Sequence, residues 1–155
     1  MKREKIRVTA PIYLLRSTEA CWRCHAVQAV VALAFRWKLD PSRKVSDQPG
    51  EGETVLLKNI HRLPPEVQTC INALHPAFKK QPSRTSGTEY FMNTCECGAH
   101  FGDYYLFSKP GGAFFPMDQE QQKRISREKL HLSGDFEFGA SEGIFSEDLS
   151  SPPPP

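Results

Sequence analysis

The chain has no apolar run that approaches a membrane span. A spanning helix needs about 18 consecutive apolar residues, and the stretch from Ile12 to Leu15 is stopped at Arg16. That run is about half of a signal-peptide h-region, so MKREKIRVTAPIYLLRS does not read as an export signal. Cysteine is scarce and odd in number, five in all, which argues against a disulfide framework. Together these absences predict a cytoplasmic protein, in a compartment where thiols stay reduced. Nor does any nucleophile–base pair stand out. Asp103, His61 and His75 read as surface or packing residues and Ser83 and Thr85 as turn residues, so no catalytic residues are assigned and no enzymatic activity is expected.

Net charge is small as well, +2 over 155 residues, but it is unevenly spread. Residues 1–45 hold ten Lys/Arg against three acids, whereas residues 135–155 hold five acids and no base. A basic head and an acidic tail suit nucleic-acid contact and its internal competitor, or simply solubility. The 13 prolines, four of them at Pro152–Pro155, predict a disordered acidic and proline-rich tail over residues 146–155. The hydrophobic fraction of 39% fits one domain, residues 1–145, with a modest core.

What the chain does have is two tight cysteine pairs, Cys21-Trp22-Arg23-Cys24 and Cys95-Glu96-Cys97-Gly98. Four thiols in two pairs can close a tetrahedron around one Zn²⁺, a common substitute for a large core in small domains. The second pair has a single-residue spacer, but residues i and i+2 of an extended segment share a face. The expected metal ligands are therefore Cys21, Cys24, Cys95 and Cys97, with structural Zn²⁺ as the cofactor. His100, two residues beyond Cys97, is a reserve ligand; His25 would have to double back. Four thiolates leave the ion a formal −2, which Arg23 and backbone N–H groups are placed to offset. Cys-x-x-Cys-His also matches a c-type haem attachment, but that reading leaves the second pair unexplained. A redox Cys-x-x-Cys lacks a βαβ context, and a zinc deaminase would need a glutamate after His25.

Each pair lies between strand-like segments. Ile12 to Arg16 reads as a strand entering the first pair. After it, Val27, Ala29, Val31, Leu33, Phe35 and Trp37 form an odd-numbered apolar face, a period-2 pattern blurred by Val30, Ala32 and Ala34. Residues 40–53 read as a turn-rich loop, Val55 to Ile60 as a strand, and Pro64-Pro65 as the opening of a helix carrying Val67, Cys70, Ile71 and Leu74 on one stripe. Cys70 is expected in the core rather than at the metal. A polar stretch over residues 79–89 precedes a strand at Tyr90–Thr94. Gly102–Phe107 is expected as the strand leaving the second pair, Lys109–Gly112 as a turn, residues 118–130 as a polar helix and Leu130–Phe138 as a hairpin. The fold class predicted is α+β: a zinc-ribbon core of two cysteine-tipped β-hairpins, with residues 40–89 as a helix-containing insertion.

The blocks TEACWRCHAVQAVVALA and YFMNTCECGAHFGDYYLF resemble a group of poorly characterised bacterial proteins. Their pattern is a Cys-Trp-x-Cys knuckle before an apolar strand, then Asn-x-Cys…Cys-Gly-Ala…Gly-Asp before another. His25 stands where glycine is common in that group, and the second spacer is short. The resemblance implies a zinc ribbon and no activity. Two kinds of partner are expected to compete: nucleic acid, met by Lys2, Arg3, Lys5, Arg7, Arg16, Arg23, Arg36 and Lys38 with Trp22, Tyr104 and Tyr105 stacking, or a protein partner of a regulatory adaptor. No membrane partner is expected.

Overall fold

A computed structural model describes residues 4–83 and 87–145. The expected tail over 146–155, Lys2, Arg3 and Thr85 lie outside the described residues. The architecture is mixed α+β, mostly antiparallel sheet, with nine strands, two short α-helices and a five-residue π-helical turn at Tyr104–Ser108 among the described residues. In chain order the strands and helices are β1 (Glu4–Thr9), β2 (Tyr13–Ala20), β3 (Val27–Arg36), β4 (Thr54–Arg62), α1 (Pro65–Leu74), β5 (Phe78–Pro82), β6 (Glu89–Thr94), β7 (His100–Phe101), α2 (Gln119–Lys123), β8 (Ser126–Lys129) and β9 (Asp135–Ile144).

Six strands form one sheet in the order β1-β9-β4-β3-β2-β8, and β5-β6-β7 form a second. The larger sheet curls on itself through chain continuity. β1 runs into β2 across Ala10–Ile12, and β8 runs on to β9 along the same corner, where the Ala10 N–H donates to Gly134 O and the Leu130 N–H to Ile12 O. Inside this curl lies the main core, built from Val8, Ile12, Leu14, Leu33, Phe35, Leu57 and Phe138 and closed by Val67 and Ile71 of α1. A second core forms on the opposite face of β2 and β3, where Leu15, Val30, Ala32 and Ala34 meet Phe101, Leu106, Phe107, Phe114 and Ile125.

The two cores explain why β3 alternates imperfectly. Its odd residues Val31, Leu33 and Phe35 face the first core and its even residues Val30, Ala32 and Ala34 face the second, so every position from 30 to 35 is buried. Val27, at the knuckle end, is 70% exposed. The helix after Pro64 forms as the sequence predicts, with Pro65 at its first position and Cys70 half-buried against the main core.

Several expectations are corrected. The basic N-terminal stretch forms β1, because Ile6 and Val8 alternate with exposed Lys5 and Arg7. The polar stretch 79–89 contains most of β5, whose lysines sit on an edge strand. The expected strand Gly102–Phe107 does not form: β7 ends at Phe101, Asp103 turns helical (φ −63°, ψ −36°), and the π-helical turn buries Leu106 and Phe107 in the second core. The polar helix stops at Lys123, where the chain turns into β8 to pair with β2. No hairpin spans Leu130–Phe138; β8 and β9 pair with β2 and with β1 and β4 respectively. Residues 40–89 contain the expected helix and also supply β4 to the larger sheet and β5 to the smaller.

Candidate metal centre

The first cysteine pair caps the β2–β3 hairpin and the second caps β6–β7, so the two knuckles come from different sheets. They close in the same way. In the first, the Cys21 N–H donates to Ala26 O and the His25 N–H donates back to Cys21 O, both at 2.9 Å. In the second, the Cys95 N–H donates to Ala99 O at 2.8 Å and the Gly98 N–H to Cys95 O at 2.9 Å. The residue after each second cysteine takes a left-handed conformation, φ 66° at His25 and 93° at Gly98. The shorter spacer is thus absorbed as a tighter turn, with the closing hydrogen bonds retained.

Side-chain hydrogen bonds set the knuckles face to face. Asn93, buried two residues before Cys95, reaches β3: its Oδ1 accepts from the Val31 N–H at 2.8 Å and its Nδ2 donates to Val31 O at 2.9 Å. Strand β4 pairs with β3 only at residues 34–36, so Asn93 supplies partners to backbone groups that no strand covers. The Trp22 Nε1 donates to His100 O at 2.9 Å, tying the first knuckle to the second hairpin.

The result is a cluster of four sulfurs, Cys21, Cys24, Cys95 and Cys97, all within 4.8 Å of one another. Cys21 and Cys97 Sγ are 3.7 Å apart and Cys24 and Cys95 Sγ 3.5 Å. Those gaps far exceed a disulfide bond of about 2 Å and approach the ~3.8 Å edge of a tetrahedron of sulfurs around Zn²⁺. All four thiols are free. They lie close enough to bind a metal ion, and neither His25 nor His100 belongs to the group.

Donors point at the sulfurs. The Gln28 Nε2 donates to Cys95 Sγ at 2.9 Å, and Arg23 contributes its backbone N–H to Cys21 Sγ at 3.4 Å. Backbone N–H donation from Cys24, aided by Arg23 and set against burial, pulls the Cys21 thiol down to about 6. At Cys95 the Cys97 N–H favours the thiolate, but burial and the crowded sulfurs of Cys24, Cys97 and Cys21 outweigh it and push the thiol up to about 12. One thiolate is favoured and a second is opposed, the response of four acidic groups sharing one small space. A divalent cation would relieve that opposition by neutralising all of them at once.

Gln28 falls on the even-numbered side of β3 with Arg36, where a polar residue draws no notice; its role comes from Cys95, 67 residues away in sequence. The described cations expected to meet nucleic acid have different surroundings. Arg16 pairs with Glu128 and the Arg36 Nε donates to Gly52 O. Lys5, Arg7 and Lys38 line a common cleft of about 470 Å³, with Asp40 and Glu137 facing them. Of the aromatics, Tyr104 is 73% exposed, while Tyr105 is held by its hydroxyl, which donates to Ala20 O. No protein-family model, curated protein or solved structure matches this chain.

Proposed function

We propose that the four sulfurs hold one structural Zn²⁺ and that the chain is a zinc-stabilised binding module whose partner is nucleic acid. The observation that carries the metal reading is the mutual spacing of four free thiols delivered by two knuckles with the same backbone closure. An all-thiolate donor set suits Zn²⁺. Four protein ligands fill a tetrahedron and leave no position for water or substrate, so the ion's work is to hold two hairpins together. The Gln28 amide and the Arg23 backbone N–H would offset part of the −2 charge of the filled site. In this reading the two hairpins form the zinc-ribbon portion of a larger β structure.

The nucleic-acid reading draws its support from exposed Lys109, whose Nζ lies 5.1 Å from the ring of half-buried Tyr105, next to exposed Tyr104, a cation set against aromatics as single strands require. The test of the metal is mass measurement under native conditions on protein refolded with Zn²⁺. One zinc per chain is expected, and none in Cys24→Ser. A folded chain that carries no metal under these conditions would remove the reading.

A further inference from the structure

Away from the knuckles, strand β4 breaks its register with β9 between Lys58 and Arg62. Within the break Asn59 is left-handed, φ 49°, and its N–H is held by the buried carboxylate of Asp103. A bulge of this kind re-aims the residues that follow it. Here His61 lies across Gly139, where a Cβ would come within 2.5 Å of the His61 Nε2. Both His61 and Arg62 are turned into a cleft of about 300 Å³ between α1, the end of β4 and β5.

The cleft has a consistent chemistry. Its charged walls are Arg62, Lys79 and Lys80, and no carboxylate lines it. Among the described residues none of these three cations forms an ion pair. Gln68 and Asn72, one turn apart on α1, present side-chain amides from the opposite wall. The floor is apolar: Phe78 and Phe91, stacked on each other at 5.9 Å and 11°, belong to the main core and show the cleft a small part of each ring. Lysines alone would merely guard the edge of β5. The bulge, the amides and the aromatic floor are not needed for that purpose.

We propose that this cleft binds a nucleoside phosphate, with the phosphate held by Arg62, Lys79 and Lys80 and the base laid on the Phe78–Phe91 floor within reach of the Gln68 and Asn72 amides. Cations unopposed by carboxylates select an anion. An apolar floor edged by amides suits a planar base, whose edge alternates donors and acceptors. The volume fits one such unit and not a duplex. The inference rests on the nucleic-acid reading of the chain and narrows it to a place and a ligand unit. The unit has two sources, a free nucleotide or a residue of a single strand.

The experiment measures binding of fluorescent single-stranded RNA and, separately, of AMP to the full zinc-loaded chain at low salt. Variants are Arg62→Ala, Lys79→Ala with Lys80→Ala, and, as a contrast in the other basic cleft, Lys5→Ala with Arg7→Ala. Each cleft variant is expected to weaken binding five- to tenfold with metal content and thermal unfolding unchanged, and the lysine pair to flatten the salt dependence. Binding of AMP alone, weakened by the cleft variants, would identify a free nucleotide, and binding of the strand alone, weakened by the same variants, would identify a strand residue; either supports the cleft. If the strand binds and only the Lys5/Arg7 pair weakens it, the cleft is wrong and the nucleic-acid reading stands. If AMP binds through the cleft while no strand binds, that reading falls and the cleft stands. If neither probe binds, both fall.

Discussion

His25 and Gly98 hold equivalent places in two turns of different length, and they reach the left-handed region at different cost. Glycine enters it freely, whereas a residue with a Cβ is disfavoured there by about 1 kcal/mol. A Cβ at Gly98 would meet nothing within 4 Å, so a substitution there tests the backbone alone. Gly98→Ala is therefore expected to lower stability by about 1 kcal/mol, and His25→Gly to raise it by up to ~1 kcal/mol. Denaturant unfolding of the metal-loaded protein measures both; a neutral Gly98→Ala would mean that the turn relaxes elsewhere. The four sulfurs themselves were legible because their spacing within each pair is local. Gln28 and Asn93 were not, since their roles depend on which strand lies opposite, across 67 and 62 residues of sequence.

The elements divide along a similar line. β2, β3, β4, α1 and β6 could be read from pattern because each buries a recognisable apolar face. β5 and β8 carry polar residues on both sides and exist because a neighbour offers a ladder, which no local pattern records. The π-helical turn defeated a strand reading of Tyr104–Phe107 because its aromatic composition favours strands, while the second core needs Leu106 and Phe107 together on one side. Just before that turn, Asp103 is buried against the β4 bulge, and burial pushes its carboxyl up to about 7 despite the Asn59 N–H and the nearby Lys58 charge. A carboxyl whose folded value lies above its unfolded value near 3.9 binds its proton more tightly when folded. Its contribution is full below about pH 4 and is lost as pH rises through about 7. Asp103→Asn, which keeps a carbonyl to accept from Asn59, should remove that loss. At about pH 8.5 the variant is expected to be more stable than wild type by roughly 1–3 kcal/mol, the margin shrinking toward about pH 5.5. Unfolding curves at several pH values decide it, and a margin that does not grow with pH would refute the assignment.

At the scale of the whole molecule, the knuckles join two sheets that otherwise meet through side chains such as Asn93. The two cores are not equally exposed to loss of that join. The main core is built mostly from the larger sheet and α1, with Phe78 and Phe91 of the smaller sheet at its edge, whereas the second contains Cys21 and Cys95 themselves. If the proposed Zn²⁺ fills the cluster, a strong chelator should therefore lower the thermal midpoint by at least ~10 °C, as expected where metal binding supplies several kcal/mol of folding free energy. Amide exchange should accelerate first in β6 and β7 and last in β1, β4 and β9. Uniform loss of protection would instead mean that the molecule unfolds as one unit. The cysteine cluster was legible in two short blocks; the larger sheet was not, because it depends on the pairing of β1 with β9, more than 120 residues apart.

That pairing has a consequence for synthesis. The last strand among the described residues, β9, does not add to an edge but slots between β1 and β4. All four thiols precede Asp135 in the chain, so both knuckles are made while the slot is still empty. During that interval the nascent chain presents two strand edges facing one gap, each able to pair with a strand from another molecule.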